Sequence, residues 1–345
     1  MTSSATLPRP VLGTLRLDNP FVLAPMAGIG DPPYRRLCRR GGAGLVCAEM
    51  VSANALHFGD EKSRRMLRTY PDEHPVSLQV FGSDPDRLAD AARAAEAAGA
   101  DVVDLNCGCP VPKIANNGAG ISLLKDESLF ARCLAAMVKA VKIPVTFKTR
   151  LGFRRGENIA RRFVQLAESV GVSAVAIHAR SREDYHVGPP NNAALREIVE
   201  SVRIPVFGNG GVRNFADAKR MMDESGCVGV LIGQAAVGNP YLFSELAHAA
   251  RAGVEAPLPV AQRLALFREH ARLIAEFYGE DLGVRRFRKY IPSYVHGLRG
   301  SAAFRSRANV TNSLASLLRL IDEFDAALRD FASPTVDIDT PWTVC

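Results

Sequence analysis

Apolar residues in this chain gather into eight short runs rich in β-branched side chains: "FVLAP" (21–25), "GLVCAEM" (44–50), "VSLQVF" (76–81), "VVDLN" (102–106), "VTFKTR" (145–150), "AVAIH" (174–178), "VFGNG" (206–210) and "GVLIG" (229–233). Apolar runs of this length, without strict alternation, predict strands covered on both faces. Between most of them the spacing changes to the i, i+3, i+4 pattern of amphipathic helices. In "DPDRLADAARAAEAAG" (84–99), Asp84 suits the N-cap, Pro85 the first helical position and Gly99 the stop. "NFADAKRMMDESG" (214–226) repeats this arrangement with Asn214 and Gly226. Strand and helix in alternation predict parallel strands joined by right-handed crossovers, and eight such units favour a closed barrel over an open sheet. Beyond residue 255 the pattern is helical, with apolar stripes in "AQRLALFREHARLIAEFYGE" and "NSLASLLRLIDEFDAALRDF". The expected fold is therefore α/β: a (β/α)8 TIM barrel over 1–255, a small all-α helical domain over 256–332 and an aperiodic C-terminal tail over 333–345.

Small, polar and charged residues, with one Met, collect where the predicted strands end: Met26, Ala27, Glu49, Gln79, Asn106, Lys148, Arg150, His178, Asn209 and Gly233. In a barrel those ends converge on one face, where barrel enzymes keep their sites. The turns "VFGNGGV" and "GVLIGQAAVGNP" follow predicted strands seven and eight, and small residues there let backbone N–H groups and a helix N-terminus approach a phosphate. Sugar phosphates, pyridoxal phosphate and flavin mononucleotide all satisfy such an anchor. Lys148 suits a Schiff base or, beside Arg150, a hydrogen bond to the electron-rich edge of a flavin. "APMAG" (24–28) offers small residues beneath a flat ring, and Gln79 and Asn106 offer amide donors and acceptors.

Composition narrows the class. The 345 residues are 47% hydrophobic, which fits a folded globular protein rather than a disordered or fibrous one. No stretch approaches the roughly 18 apolar residues a membrane-spanning helix needs, and "MTSSATLPRPVLG" has no apolar signal core, so a cytoplasmic protein is expected. Seven cysteines, with no C-x-x-C among them, fit a reducing compartment. The net charge of +7 favours polyanionic partners where it clusters. It does cluster: residues 285–307, "RRFRKYIPSYVHGLRGSAAFRSR", hold seven Lys or Arg and no acid, interleaved with Phe287, Tyr290, Tyr294 and Phe304. Two readings of this segment stand side by side: cations on phosphates with rings on bases, or a buried aromatic stripe with a wet basic side.

Four chemistries compete for "NCGCP" (106–110). Metal binding lacks further ligands at zinc spacing, so no metal is expected. A Cys107–Cys109 disulfide closes a strained small ring. A nucleophilic thiolate needs an adjacent base, and His178 is distant in sequence. A thiol on a proline-stiffened loop can also serve as an acid toward a carbanion.

At these residues the chain resembles the tRNA-dihydrouridine synthases. "APMAG", "SLQVFG", "DLNCGCPVPKIANNGAGISLL", "FKTRLG", "IHARSR", "GNGGV" and "IGQAAVGNPYLF" follow the family's signature blocks in order, over about residues 10–325, and the 285–307 segment is similar to the helical-domain block of its bacterial branch. The resemblance implies an FMN-dependent oxidoreductase that reduces the C5=C6 bond of specific uridines in tRNA, with NADPH (or NADH) as reductant and Cys109 as proton donor. It implies FMN contacts at Pro25, Met26, Ala27, Gln79, Lys148, His178, Asn209, Gly210, Gly211, Gly233 and Gln234. Candidate substrate contacts are Asn106, Arg150, Arg180, Arg286, Arg288, Lys289 and Arg305. Gln234 departs from the family's usual Arg beside the phosphate, and "SREDYHVGPPNN" (181–192) departs from its usual continuation. The alternatives are an FMN enzyme of a free pyrimidine such as dihydroorotate, a synthase acting on another RNA, and a catalytically idle RNA-binding relative. Oligomeric state is not legible.

Overall fold

A computed structural model of the chain describes residues 7–330; the expected tail at 333–345 lies outside them. Eight parallel strands close into a barrel: β1 Phe21–Leu23, β2 Leu45–Cys47, β3 Val76–Phe81, β4 Val102–Cys107, β5 Val145–Arg150, β6 Ala174–His178, β7 Val206–Asn209 and β8 Gly229–Ile232. Each strand pairs with its sequence neighbours, and Val230 against Phe21 closes the ring between β8 and β1. Seven lie within the apolar runs expected of them, and β4 runs one residue past its own, to Cys107. The strands read as continuous apolar segments because helices cover their outer face while side chains fill the inside. The helix Pro85–Ala97 begins at Asp84, whose side chain accepts from the Arg87 N–H, and Phe215–Ser225 begins at Asn214 and ends at left-handed Gly226.

Two features escaped the apolar pattern. A hairpin pairing Val11–Leu12 with Leu15–Arg16 precedes β1, and its Leu12, with Leu17, joins the inward residues Val22, Leu45, Ala174 and Phe207 in one buried cluster. Between β2 and β3, short helices at Ala53–His57 and Glu61–Met66 replace a single crossover helix. That connection is tied to the first helix, Pro32–Arg40, by a buried ion pair. Arg35 donates through Nε and Nη2 to both oxygens of Glu73, at 3.0 and 3.1 Å, and also to the carbonyls of Gly30 and Arg68.

By backbone contacts the chain divides into two compact units, which among the described residues are 7–236 with 241–256, and 237–240 with 257–330. The second unit is helical, built from Val260–Tyr278, Glu280–Phe287, Ser301–Asn309 and Leu314–Asp330. Gly283 lets the second of these helices approach the first, since a Cβ there would fall 2.6 Å from the Ala275 Cα. Among the described residues no helix is long and apolar enough to cross a membrane.

Candidate active site

Side chains alternate across a strand, so one parity of each strand lines the barrel interior. That parity puts Ser77 and Gln79 of β3, Asp104 and Asn106 of β4, Thr146, Lys148 and Arg150 of β5, Ala176 and His178 of β6, and Asn209 of β7 inward. An interior cavity is lined by Pro25, Cys47, Ser77, Asp104, Thr146 and Lys148, among others. Gln79, Asp104 and Thr146 lie level with one another across three neighbouring strands. Asp104 accepts from Thr146 Oγ1 at 2.6 Å and from Gln79 Nε2 at 2.7 Å. Gln79 Oε1 in turn accepts from Asn106 Nδ2 at 2.9 Å. Burial pushes the Asp104 carboxyl up to about 6 against those hydrogen bonds and the nearby Lys148. Burial and Arg150 hold the Lys148 ammonium down to about 8, opposed by Asp104.

After β4 the chain enters the loop that carries Cys109. Asn106 Oδ1 accepts from the N–H groups of Gly108 (3.2 Å) and Cys109 (3.0 Å), while the Cys109 carbonyl accepts from the Ile121 N–H at 3.2 Å. The backbone of Cys109 is thus held from both sides. Gly108 permits close passage over β5, and Gly120, at φ +60°, leaves room for the Cys109 carbonyl, which a Cβ would meet at 2.8 Å. Cys109 is the partly exposed cysteine of this chain among the described residues; Cys38, Cys47, Cys107, Cys133 and Cys227 are buried. Cys107 points to the opposite side of β4, and burial raises its thiol far above the ordinary range, so it stays protonated. Both thiols of the "CGC" turn are free.

A cationic wall lies beside this loop. Arg150 Nη1 donates to the carbonyls of Ser181 (3.1 Å) and Tyr185 (2.7 Å), and Arg180 donates to the Gly188 carbonyl through Nε at 3.0 Å. Together they fasten the 181–188 loop, in which Tyr185 takes a left-handed backbone (φ 52°) with its side chain exposed. Arg180 Nη1 lies 3.2 Å from His178 Nε2, which makes that nitrogen the acceptor and puts the ring proton on Nδ1. Burial and the charges of Lys148, Arg150 and Arg180 hold His178 well below its ordinary range, hence neutral.

The glycine turns after β7 and β8 close the face. Gly210 and Gly211 adopt positive φ, and a Cβ on Gly210 would strike the His178 ring at 2.8 Å. The N–H groups of Gly210, Gly211 and Gln234 donate to no acceptor among the described residues. Gly233 faces Met26, whose Sδ would lie 3.4 Å from an added Cβ. Pro25 and Met26 are half-buried, Ala27 and Gln234 exposed. Asn209 donates to the Leu231 carbonyl at 2.9 Å. These donors, the cations and the neutral His178 suit an anionic ligand with a planar polar edge and a phosphate. Asp104 is the site residue that the sequence reading passed over, although its position two residues before Asn106 marks it as inward.

The basic segment lies in the helical unit, and there the structure decides between its two readings for the rings. Phe287, Tyr290, Tyr294 and Phe304 are buried. Phe267 stacks on Tyr294 at 4.8 Å, and His270 lies against Tyr290 at 4.4 Å. The rings are core, as the second of the two readings has it, and do not stack on bases. The cations form the wet side: Arg286 covers the Tyr278 ring, Arg288 donates to Thr311 and Asn312, Lys289 lies over Tyr290, and Arg305 is exposed.

Comparison with known proteins agrees with this geometry. The family model described as dihydrouridine synthase (Dus) matches residues 22–331. The chain is 40% identical over 301 residues to tRNA-dihydrouridine synthase B of Pseudomonas aeruginosa, covering 86% of this chain and 90% of that protein. It is 38% identical over 321 residues to a probable tRNA-dihydrouridine synthase of Rickettsia conorii, covering 92% and 97%. Among solved structures, histamine dehydrogenase from Rhizobium sp. 4-9 shares the fold at TM-score 0.58 and 11% identity, over 97% of this chain and 66% of that one. A barrel with its polar residues at the strand ends, a thiol loop after β4 and a family match over nearly its whole length together place this chain in the dihydrouridine synthase family.

Proposed function

We propose that this protein is an FMN-dependent tRNA-dihydrouridine synthase, reducing the C5=C6 bond of specific uridines with NADPH (or NADH) as reductant. The observation that carries the reading is the Cys109 loop: a partly exposed thiol on a backbone held at both its N–H and its carbonyl, at the end of β4. FMN, when bound, supplies a hydride to uracil C6. Cys109 Sγ holds the proton destined for C5, and the acid must be a thiol rather than a thiolate for that step. Lys148, from the next strand, would offer a cation to the pyrimidine edge of the bound flavin, where reduction gathers negative charge. The N–H groups of Gly210, Gly211 and Gln234, which have no acceptor among the described residues, would hold the phosphate, so backbone donors would serve where Gln234 brings no charge. Neutral His178, donating from Nδ1, adds a hydrogen bond without adding a fourth cation to Lys148, Arg150 and Arg180.

Uridine inside folded tRNA reaches such a pocket only by leaving its stack. Backbone phosphates are bound by cations of the helical unit, among them Arg286, Arg288, Lys289 and Arg305, while Arg150 and Arg180 are the barrel's candidate substrate contacts. The test is Cys109→Ala. The variant is expected to keep its flavin absorbance and its reduction by NADPH, and to lose at least about 100-fold in dihydrouridine formation on unmodified tRNA. Normal modification by that variant removes Cys109 as the donor. Turnover of free uracil or dihydroorotate by the native enzyme, without RNA, rejects the tRNA reading.

A further inference from the structure

Between Asp104 and the Cys109 loop run two side-chain amides in series, and the groups at the two ends of this run have opposite character. An ionised carboxylate only accepts hydrogen bonds, and a main-chain N–H only donates. Asp104 has both oxygens engaged, one by Thr146 Oγ1 at 2.6 Å and the other by Gln79 Nε2 at 2.7 Å. At the far end, Asn106 Oδ1 receives the N–H groups of Gly108 and Cys109. Gln79 and Asn106 each carry one donating and one accepting end, so their orientations are coupled through the 2.9 Å bond between them. If Gln79 turned over, its Oε1 would face a carboxylate oxygen and its Nε2 would face Asn106 Nδ2. Asn106 would then have to turn as well, bringing an NH2 group against two backbone N–H groups. Each buried mismatch costs roughly 1–3 kcal/mol, so one orientation of the whole chain survives.

We infer that Asp104 is a positioning residue: its carboxylate sets the direction of the Gln79 and Asn106 amides and, through them, the seat of the Cys109 backbone. A carboxylate between Val103 and Leu105, 7% exposed inside a barrel, is costly to keep for packing alone. Its carboxyl, raised only to about 6, remains ionised at neutral pH and so keeps its accepting character. The consequence for turnover rests on the proposed role of Cys109, whereas the direction of the amides does not.

The chain can be reversed by exchanging its ends. In Asn106→Asp, Gln79 is left between two carboxylates and one acceptor meets another. Adding Asp104→Asn supplies an N–H for the overturned Gln79 Oε1, frees Gln79 Nε2 to donate to the carboxylate introduced nearer the loop, and keeps an oxygen for Thr146. The holoproteins are compared at about pH 8 by urea unfolding and by the alkylation rate of Cys109 with iodoacetamide, read by peptide mass. Asn106→Asp is expected to raise the unfolding constant at least about thirtyfold. The Asp104→Asn/Asn106→Asp pair should recover at least about tenfold of that and change the alkylation rate at least about threefold from that of Asn106→Asp toward that of the native protein. Asp104→Leu/Asn106→Asp removes the charge repulsion without supplying the N–H, and should recover no more than about threefold. A double exchange that fails to fold, shows no recovery, or recovers no more than the Leu variant overturns the assignment. If the native holoprotein reduces no uridine in tRNA, the proposed function fails, while the order of the unfolding constants still decides the direction of the amides.

Discussion

Lys148 sits between opposing fields: burial and Arg150 disfavour its charge, Asp104 favours it, and the outcome is an ammonium held down to about 8. Unfolding returns it to the ordinary lysine range near 10.5, so between pH 8 and 10.5 the unfolded chain binds a proton that the folded chain has released. Stability from this group therefore rises with pH across that window, and below about pH 8 the folded state carries the full cost of the charge. The difference in urea stability between native and Lys148→Met, measured on flavin-stripped protein, should change with a slope approaching one proton over that window and flatten below it. A flat difference throughout would show that the ammonium is not held down. Lys148 was legible because it lies near the end of an apolar run, as do Asn106 and His178. Asp104 was not, because it interrupts a run between Val103 and Leu105, where period-two alternation with Asn106 was the only signal.

Strands β1 to β8 were legible as elements because burial on both faces leaves an unbroken apolar imprint, and helices such as Pro85–Ala97 because caps and stops bracket them. The stretch between β2 and β3 left no such imprint. Its helices span five and six residues, too short to show a period, and the connection is tied to the first helix by the pairing of Arg35 with Glu73, 38 positions apart in sequence. Both side chains are essentially inaccessible, at 1% and 0% exposure. Removing one partner strands a buried charge, so Glu73→Gln should cost about 3 kcal/mol. Replacing both, as Arg35→Met with Glu73→Leu, should recover most of that loss, because no uncompensated charge remains. Equal losses in the single and double variants, by urea unfolding of the holoprotein, would mean that the pair acts through its packing rather than its charge.

For the molecule as a whole, the sequence showed a cation excess of +7 and where it concentrates, but it did not separate rings from cations in the 285–307 segment. Packing separates them: an aromatic side chain buries some ~150–250 Å² and goes to the core of a small helical unit that needs it, and the cations between are left in water. Several of those cations already have partners, Arg285 with Asp281 and Arg307 with Glu323, and a paired cation has less to offer a phosphate. Arg305 is exposed and makes no ion pair among the described residues, and Lys289 is exposed over the Tyr290 ring. If this unit grips tRNA through phosphates, Arg305→Ala should weaken tRNA binding without altering flavin absorbance. It should also lower the slope of log affinity against log salt by about 1. Arg285→Ala, already paired with Asp281, should lower it less. Because the buried rings cannot stack on bases, Tyr294→Phe should leave that slope unchanged, and any effect it has should appear in the stability of the helical unit. Equal salt slopes in native protein and in the Arg305 variant would place the phosphate contacts elsewhere on the molecule.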